Sequence, residues 1–206
     1  MNMEIIRTPN PEPRTLIICP VILAVPDNMQ QLSGREKVSF LSKHARRALG
    51  ISATKSRIQL GDLNKNKNGV PLPFDGNYWS VTHKTGYVGG VVAPERIGID
   101  LEKIRPIKAS VYGKTADNSE WALSNIKSTP FFFRYWTSKE SVLKAAGSGI
   151  RDLLKCRIKQ IIDDEHLIVD YEEKDWVIEH FYFNGHIASV VKNDADTDWT
   201  LVTDSV

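Results

Sequence analysis

A chain of 206 residues, 41% hydrophobic and 25% charged, can bury a core without staples and has the composition of neither a disordered nor a membrane protein. Its formal net charge of +2 excludes the continuous basic footprint of a nucleic-acid binder. Two cysteines, Cys19 and Cys156, lie in apolar stretches without metal-like or redox-like spacing, as expected of buried free thiols in a reducing, cytoplasmic setting.

Residues 1–14 are polar and proline-rich and read as an arm on the surface. Thr15 to Val25 is an apolar run too short to span a bilayer and without the basic start of a signal peptide, so it reads as a first buried strand. From Ser33 to Gly50, Val38, Leu41, Ala45, Ala48 and Leu49 recur at helical spacing, with Ser33 placed to cap the helix and Gly50 to stop it. Arg57 to Leu63 is a short β-like run, and Asn64 to Gly69 is dense in turn formers. Tyr78 to Thr82, Tyr87 to Ala93 and Ile97 to Leu101 read as strands.

The second half begins with two helical stretches, Ser119 to Ile126 and Phe131 to Ala146, the latter ended by Gly147. Cys156 to Ile162, His166 to Tyr171, Trp176 to Phe183, His186 to Lys192 and Trp199 to Thr203 then read as a meander. The class is α+β, and no residue-level repeat relates the halves. We expect two tightly packed lobes, residues 15–97 and 98–206.

Chemistry concentrates in two places. In Gly98-Ile99-Asp100-Leu101-Glu102 the carboxylates at i and i+2 of an extended strand share a face, while Ile99 and Leu101 point the other way, into the core. Two converging carboxylates need a cation or a basic neighbour between them, and hard oxygens favour Mg²⁺ or Mn²⁺; alone, the pattern fits an exposed salt-bridging pair equally well. In Trp136-Thr137-Ser138-Lys139-Glu140-Ser141-Val142-Leu143-Lys144, Phe132, Trp136, Glu140 and Lys144 recur at i+4, so one helix face carries an acid and an ammonium. Such a face could complete a metal site with Glu140 and hold a phosphate with Lys144, or simply form an i, i+4 salt bridge.

Taken together, IGIDLEKIRP and YWTSKESVLKAAGSGI resemble the signatures of the 4'-phosphopantetheinyl transferases of the larger, surfactin-synthetase-activating type, a G-(I/V)-D-x-E strand followed by a W-x-x-K-E-S-x-x-K helix. Upstream, Asn68-Gly69-Val70-Pro71 resembles the family's G-K-P turn with Val70 in place of the lysine, and Trp79-Ser80-Val81-Thr82-His83 its N-x-S-H segment with Thr82 in place of serine. The helix ending in His44-Ala45-Arg46-Arg47-Ala48-Leu49-Gly50 is similar to its R-x-x-L-G helix, so the resemblance runs from about residue 33 to 160.

The resemblance implies two similar lobes related by a pseudo-two-fold, each with helices packed on a small antiparallel sheet, coenzyme A between them and the metal on the second. It implies Asp100, Glu102 and Glu140 as Mg²⁺ (or Mn²⁺) ligands, Thr82, His83 and Lys144 as coenzyme A contacts, and Arg46 or Arg47 near the nucleotide, with Lys67 or Lys84 standing in for the missing turn lysine. The implied reaction moves 4'-phosphopantetheine to a serine of an apo acyl, peptidyl or aryl carrier protein and releases 3',5'-ADP. Either Glu140 or a water on the metal takes the serine proton, and Lys144 assists.

The expected enzyme is a monomer without nucleic-acid or membrane partners, and the basic segment from Lys103 to Lys114 is its surface for an acidic carrier. Two rivals are a metal-dependent nuclease, whose lysine lies two rather than four residues after the glutamate, and a catalytically silent coenzyme A-binding homologue. No G-x-S-x-G elbow and no G-x-x-x-x-G-K-[ST] loop is present.

Overall fold

The structure, a computed structural model, describes residues 15–84, 86–124 and 126–203, with the side chain of Gln30 left aside. The expected surface arm over residues 1–14 lies outside the described residues. In chain order the elements are β1 (Ile17–Ile18), β2 (Val21–Ala24), α1 (Asp27–Gln30), α2 (Gly34–Lys55), β3 (Tyr78–His83), β4 (Tyr87–Ala93) and β5 (Ile99–Lys103). They continue with α3 (Asn118–Ala122), α4 (Thr129–Ala146), β6 (Arg157–Ile161), β7 (His166–Tyr171), β8 (Lys174–Phe183), β9 (His186–Val191), β10 (Asp196–Thr197) and β11 (Thr200–Val202). The α+β class is that of the molecule.

Two sheets carry the fold, ordered β11-β2-β4-β3 and β5-β9-β8-β7-β6. Helix α2 lies on the first and α4 on the second, and in each case a glycine lets backbone meet backbone. A Cβ on Gly90 of β4 would lie 2.5 Å from the Leu49 nitrogen of α2, and one on Gly98 would lie 1.9 Å from the Ser141 oxygen of α4. The glycine that opens the G-I-D-x-E pattern is therefore a packing requirement, because any side chain there would push α4 off β5.

The second sheet and α4 enclose the largest core, with Tyr135, Val142 and Leu143 of the helix against Leu167, Val169, Ile178 and Ile187 of the strands. On its other face β5 buries Ile99 against Ile18, Val91 and Val190, and Leu101 against Ile22, Phe183 and Ala188. Both β5 side chains are fully buried, each worth about 1.5–3 kcal/mol of hydrophobic stabilisation. This cements the two sheets to one another.

Several boundaries differ from the sequence pattern. The first apolar run is two strands, β1 and β2, because Pro20 has no amide hydrogen to continue a ladder. Helix α2 passes through Gly50 to Lys55, since burial of Ser52 and Ala53 outweighs the roughly 1 kcal/mol that a mid-helix glycine costs. Ser33 is its N-cap residue but makes no side-chain cap bond. Arg57 to Leu63 forms no strand, and the helix around Ser119 shortens to α3. Gly147 does end α4, in the left-handed conformation at φ 77°.

The meander stops at β9. The last run does not extend it but returns to the first sheet, where Thr200–Val202 pairs in parallel with Val21–Leu23. Strand periodicity says which face is apolar, but not which sheet will receive it.

Candidate active site

Strand β5 and helix α4 build the site together. The antiparallel register of β5 with β9, Asp100 opposite Ser189 and Glu102 opposite Ile187, turns both acids towards α4. They are 5% and 8% exposed, which leaves two anions in need of counter-charge. Each has found a lysine. Lys144 on α4 donates to Asp100 Oδ1 at 2.7 Å and to the Ile99 carbonyl at 2.9 Å, while Lys84, just past the end of β3, meets Glu102 Oε1 at 2.6 Å.

Thr82 donates its hydroxyl to Asp100 Oδ1 at 3.0 Å, so this expected coenzyme A contact helps to orient the acid. Asp100 Oδ2 is buried with no hydrogen-bond partner among the described residues. The third acid, Glu140 on α4, is half-buried, and its carboxyl is pushed above the ordinary value by burial first, then by Asp100 and Glu102, with Lys144 and Lys84 opposing. Lys144 pairs with Asp100 rather than with Glu140, which sets aside the simple i, i+4 bridge.

A carboxyl held above its ordinary value takes its proton in the folded state first, so it opposes folding at neutral pH; that opposition fades as pH falls through the raised value towards 4.5. Glu140→Gln is therefore expected to raise the metal-free melting temperature near pH 7 and to flatten this part of the pH profile. Melting curves in chelator across that window check it. A melting temperature that falls at neutral pH would contradict it.

Around the acids lies a field of positive groups. Lys65 has its ammonium made more acidic by burial, then by Arg46 and Lys144, and sits 5.8 Å over the Trp79 ring. His83 reaches solvent at the end of β3, yet its ring is held below the usual histidine range by partial desolvation, then by Lys144, Lys84 and Lys65, with a backbone hydrogen bond opposing. The lowering of both Lys65 and His83 beside Lys144 marks a place where cations are crowded and an anion would be favoured.

Arg46 belongs to this field, and Arg47 lies exposed on α2. Lys65 was not singled out in the sequence because the motif places the turn lysine at Val70. Its neighbourhood to Arg46 and Lys144 exists only once the 64–71 loop folds back, through Asn66 N–H to the Val70 carbonyl and Leu72 N–H to the Asn64 carbonyl, each 2.9 Å.

Lys139, between Ser138 and Glu140 in the helix pattern, is the other residue that sequence reading passed over. It is fully buried, 2.6 Å from Glu120 Oε1 and 2.8 Å from the Thr115 carbonyl. Glu120 also accepts Ile158 N–H at 2.8 Å and, as the last member of a capping box on α3, Asp117 N–H at 2.9 Å. Asp117-x-x-Glu120 and a lysine on the same helical phase as Tyr135 and Val142 were the available signals.

Beside Glu102 opens a groove of about 440 Å³ floored by Pro106, Ile107, Val111, Phe132, Phe133 and Trp136, with Arg105 and Lys108 on its rim. Arg105 lies 5.7 Å from the Phe133 ring. The groove belongs to the segment expected to meet a partner.

Among the described residues no three acidic, histidine or cysteine side chains already form a cage for a cation. The donor chemistry nonetheless fits a hard divalent ion: an orphaned buried oxygen on Asp100 and a second and third carboxylate that disfavour one another. No described helix is long and apolar enough to cross a membrane.

The chain is 24% identical to a 4'-phosphopantetheinyl transferase of Bacillus subtilis over 129 aligned positions, 60% of this chain and 53% of the relative. It is 31% identical to the 4'-phosphopantetheinyl transferase psf-1 of Bacillus pumilus over 89 positions, 40% of this chain and 38% of the relative. An L-aminoadipate-semialdehyde dehydrogenase-phosphopantetheinyl transferase of Rattus norvegicus is 26% identical over 157 positions, 60% and 50% respectively. The chain thus spans about half the length, or less, of the curated relatives it matches. The model of the 4'-phosphopantetheinyl transferase superfamily matches residues 96–191, beginning just ahead of Gly98 and ending on the last residue of β9. That interval, a little under half of the chain, holds the whole second sheet, α4 and all three acids, and over it the chain is similar to the 4'-phosphopantetheinyl transferase superfamily.

Proposed function

We propose that the protein transfers 4'-phosphopantetheine from coenzyme A to a serine hydroxyl of an apo carrier protein, with release of 3',5'-ADP and dependence on Mg²⁺. The observation that carries this reading is the juxtaposition of Asp100, Glu102 and Glu140 with the crowded cations Arg46, Lys65, Lys84 and Lys144. A diphosphate with its divalent ion is the ligand that both charge sets need at once.

Asp100, Glu102 and Glu140 are the residues that would hold the ion, which supplies charge neutralisation for the diphosphate when bound. Lys144 and Lys65 provide fixed positive charge for the transferring and leaving phosphates, and His83, kept neutral, donates an N–H to a phosphate oxygen. The serine oxygen attacks the pantetheine-side phosphorus, the bond from that phosphorus to the bridging oxygen breaks, and 3',5'-ADP leaves. Glu140 accepts the serine proton.

The apolar groove beside Glu102, with Arg105 and Lys108 at its edge, suits an amphipathic acidic helix that delivers the serine next to the acids. Intact mass of an apo carrier incubated with the protein, coenzyme A and Mg²⁺ tests the whole reading. One added phosphopantetheine with an equal amount of 3',5'-ADP, stopped by chelation, is the expected result. Tight coenzyme A binding without modification of any acyl, peptidyl or aryl carrier would instead support a silent homologue, and cleavage of nucleic acid a nuclease.

A further inference from the structure

Two lysines serve the acid cluster, and they are held very differently. Lys144 rises from the last turn of α4, is 29% exposed, and has its ammonium anchored by both a carboxylate and a backbone carbonyl. Lys84 is at the mouth of the β3–β4 connection, where its backbone N–H bonds the Tyr87 carbonyl at 2.8 Å. Its side chain is 41% exposed, and among the described residues its one ion pair is the 2.6 Å contact to Glu102, whose own side chain is 10% exposed.

A dication on the Glu102 carboxylate and an ammonium 2.6 Å from the same group repel, so an ion ligated by Glu102 favours the departure of Lys84. Lys84 can do so. A four-carbon stem rooted beside a turn swings into solvent at little cost, whereas the Lys144 ammonium would forfeit two buried contacts. The place it would swing through already holds His83 and, within electrostatic reach, Lys65 and Lys144. Crowding among like charges opposes that move until an anion arrives.

From this geometry we infer that Lys84 is a displaceable counter-ion: it neutralises Glu102 in the empty site, yields it to the divalent ion, and then contacts a phosphate of coenzyme A. This rests on the transferase reading above and extends it, giving Lys84, one of the two lysines that could stand in for the missing turn lysine, a second role at the ion site. It also answers the absence of a lysine at Val70, since the ammonium lacking in that turn is supplied from the β3–β4 connection. Binding of the ion and of coenzyme A then favour one another, because each stabilises the position of Lys84 that the other needs.

The test is calorimetric titration of the full chain with Mg²⁺ alone, and with coenzyme A at saturating Mg²⁺, for the wild type, Lys84→Gln and Lys84→Arg. Lys84→Gln is expected to bind Mg²⁺ about fivefold more tightly and coenzyme A about fivefold more weakly, the scale of a half-exposed ion pair. Lys84→Arg, which keeps the charge, should restore both towards wild type. Melting in chelator gives a second readout: Lys84→Gln melts lower than wild type, and Mg²⁺ closes the gap. A merely structural lysine would weaken both ligands together and leave the gap open. Unchanged or weaker Mg²⁺ binding in Lys84→Gln, or unchanged coenzyme A affinity, overturns the inference while leaving the transferase reading intact. If neither wild type nor variant responds to Mg²⁺, the reading of the acids as an ion site falls, and this inference with it.

Discussion

Asp100→Asn is expected to abolish the Mg²⁺-dependent rise in melting temperature and to lower phosphopantetheine transfer by about two to three orders of magnitude, the loss typical when a group that stabilises transition-state charge is removed. The side chain is isosteric and nearly buried, so the change is one of charge at an otherwise preserved site. In the metal-free protein two effects compete. The Lys144 ammonium loses its 2.7 Å partner but keeps the Ile99 carbonyl and some solvent, while Glu140 loses one of the two acids that weaken its ionisation.

Because the Asp100–Lys144 pair is more buried than a surface bridge, its loss should dominate, with a net destabilisation of about 1–3 kcal/mol. Lys144→Ala should cost a similar amount, since it breaks the same pair, yet retain the Mg²⁺ response and lose part of the coenzyme A response. Melting curves with and without Mg²⁺ and coenzyme A separate the two variants. A Mg²⁺ response of wild-type size in Asp100→Asn would remove the acid from the metal site.

Lys139→Met is expected to cost about 3–5 kcal/mol of stability, because it leaves Glu120 charged and buried. Burial already makes the Lys139 ammonium more acidic, with Glu120 as its main support, which shows how much the pair is working against desolvation. Glu120 cannot simply turn to solvent. Its carboxylate closes the α3 cap through Asp117 N–H and starts β6 through Ile158 N–H, so disturbing it loosens α3, α4 and β6 together.

The double variant Glu120→Gln with Lys139→Met should cost much less than the sum of the single changes, because it removes the stranded charge as well as the pair. Equilibrium denaturation of the two single variants and the double one measures the coupling. Additive losses, or a Lys139→Met loss below about 1 kcal/mol, would show that the pair is not what ties α3 to α4. Although Lys139 adjoins Glu140 in the chain, its ammonium is directed to Glu120 and the Thr115 carbonyl, so transfer activity in Lys139→Met should fall only as far as folding does.

Much of the site was legible in the residues themselves, because periodicity is local. Period two on β5 puts Asp100 and Glu102 on one face, and a spacing of four on α4 puts Glu140 and Lys144 on another; these follow from strand and helix geometry alone. The fold class and the positions of the long elements were readable for the same reason. What the chain could not state was which faces would meet, since that depends on packing between residues far apart. The tertiary structure decided that Lys144 turns to Asp100 instead of Glu140, and that Lys84 covers Glu102. It also brought Lys65 into the positive field through a folded-back loop. Long-range pairing decided the rest, sending β11 away from the meander to lie beside β2, and making Gly98 the point where α4 touches β5, a constraint set by the helix across from it.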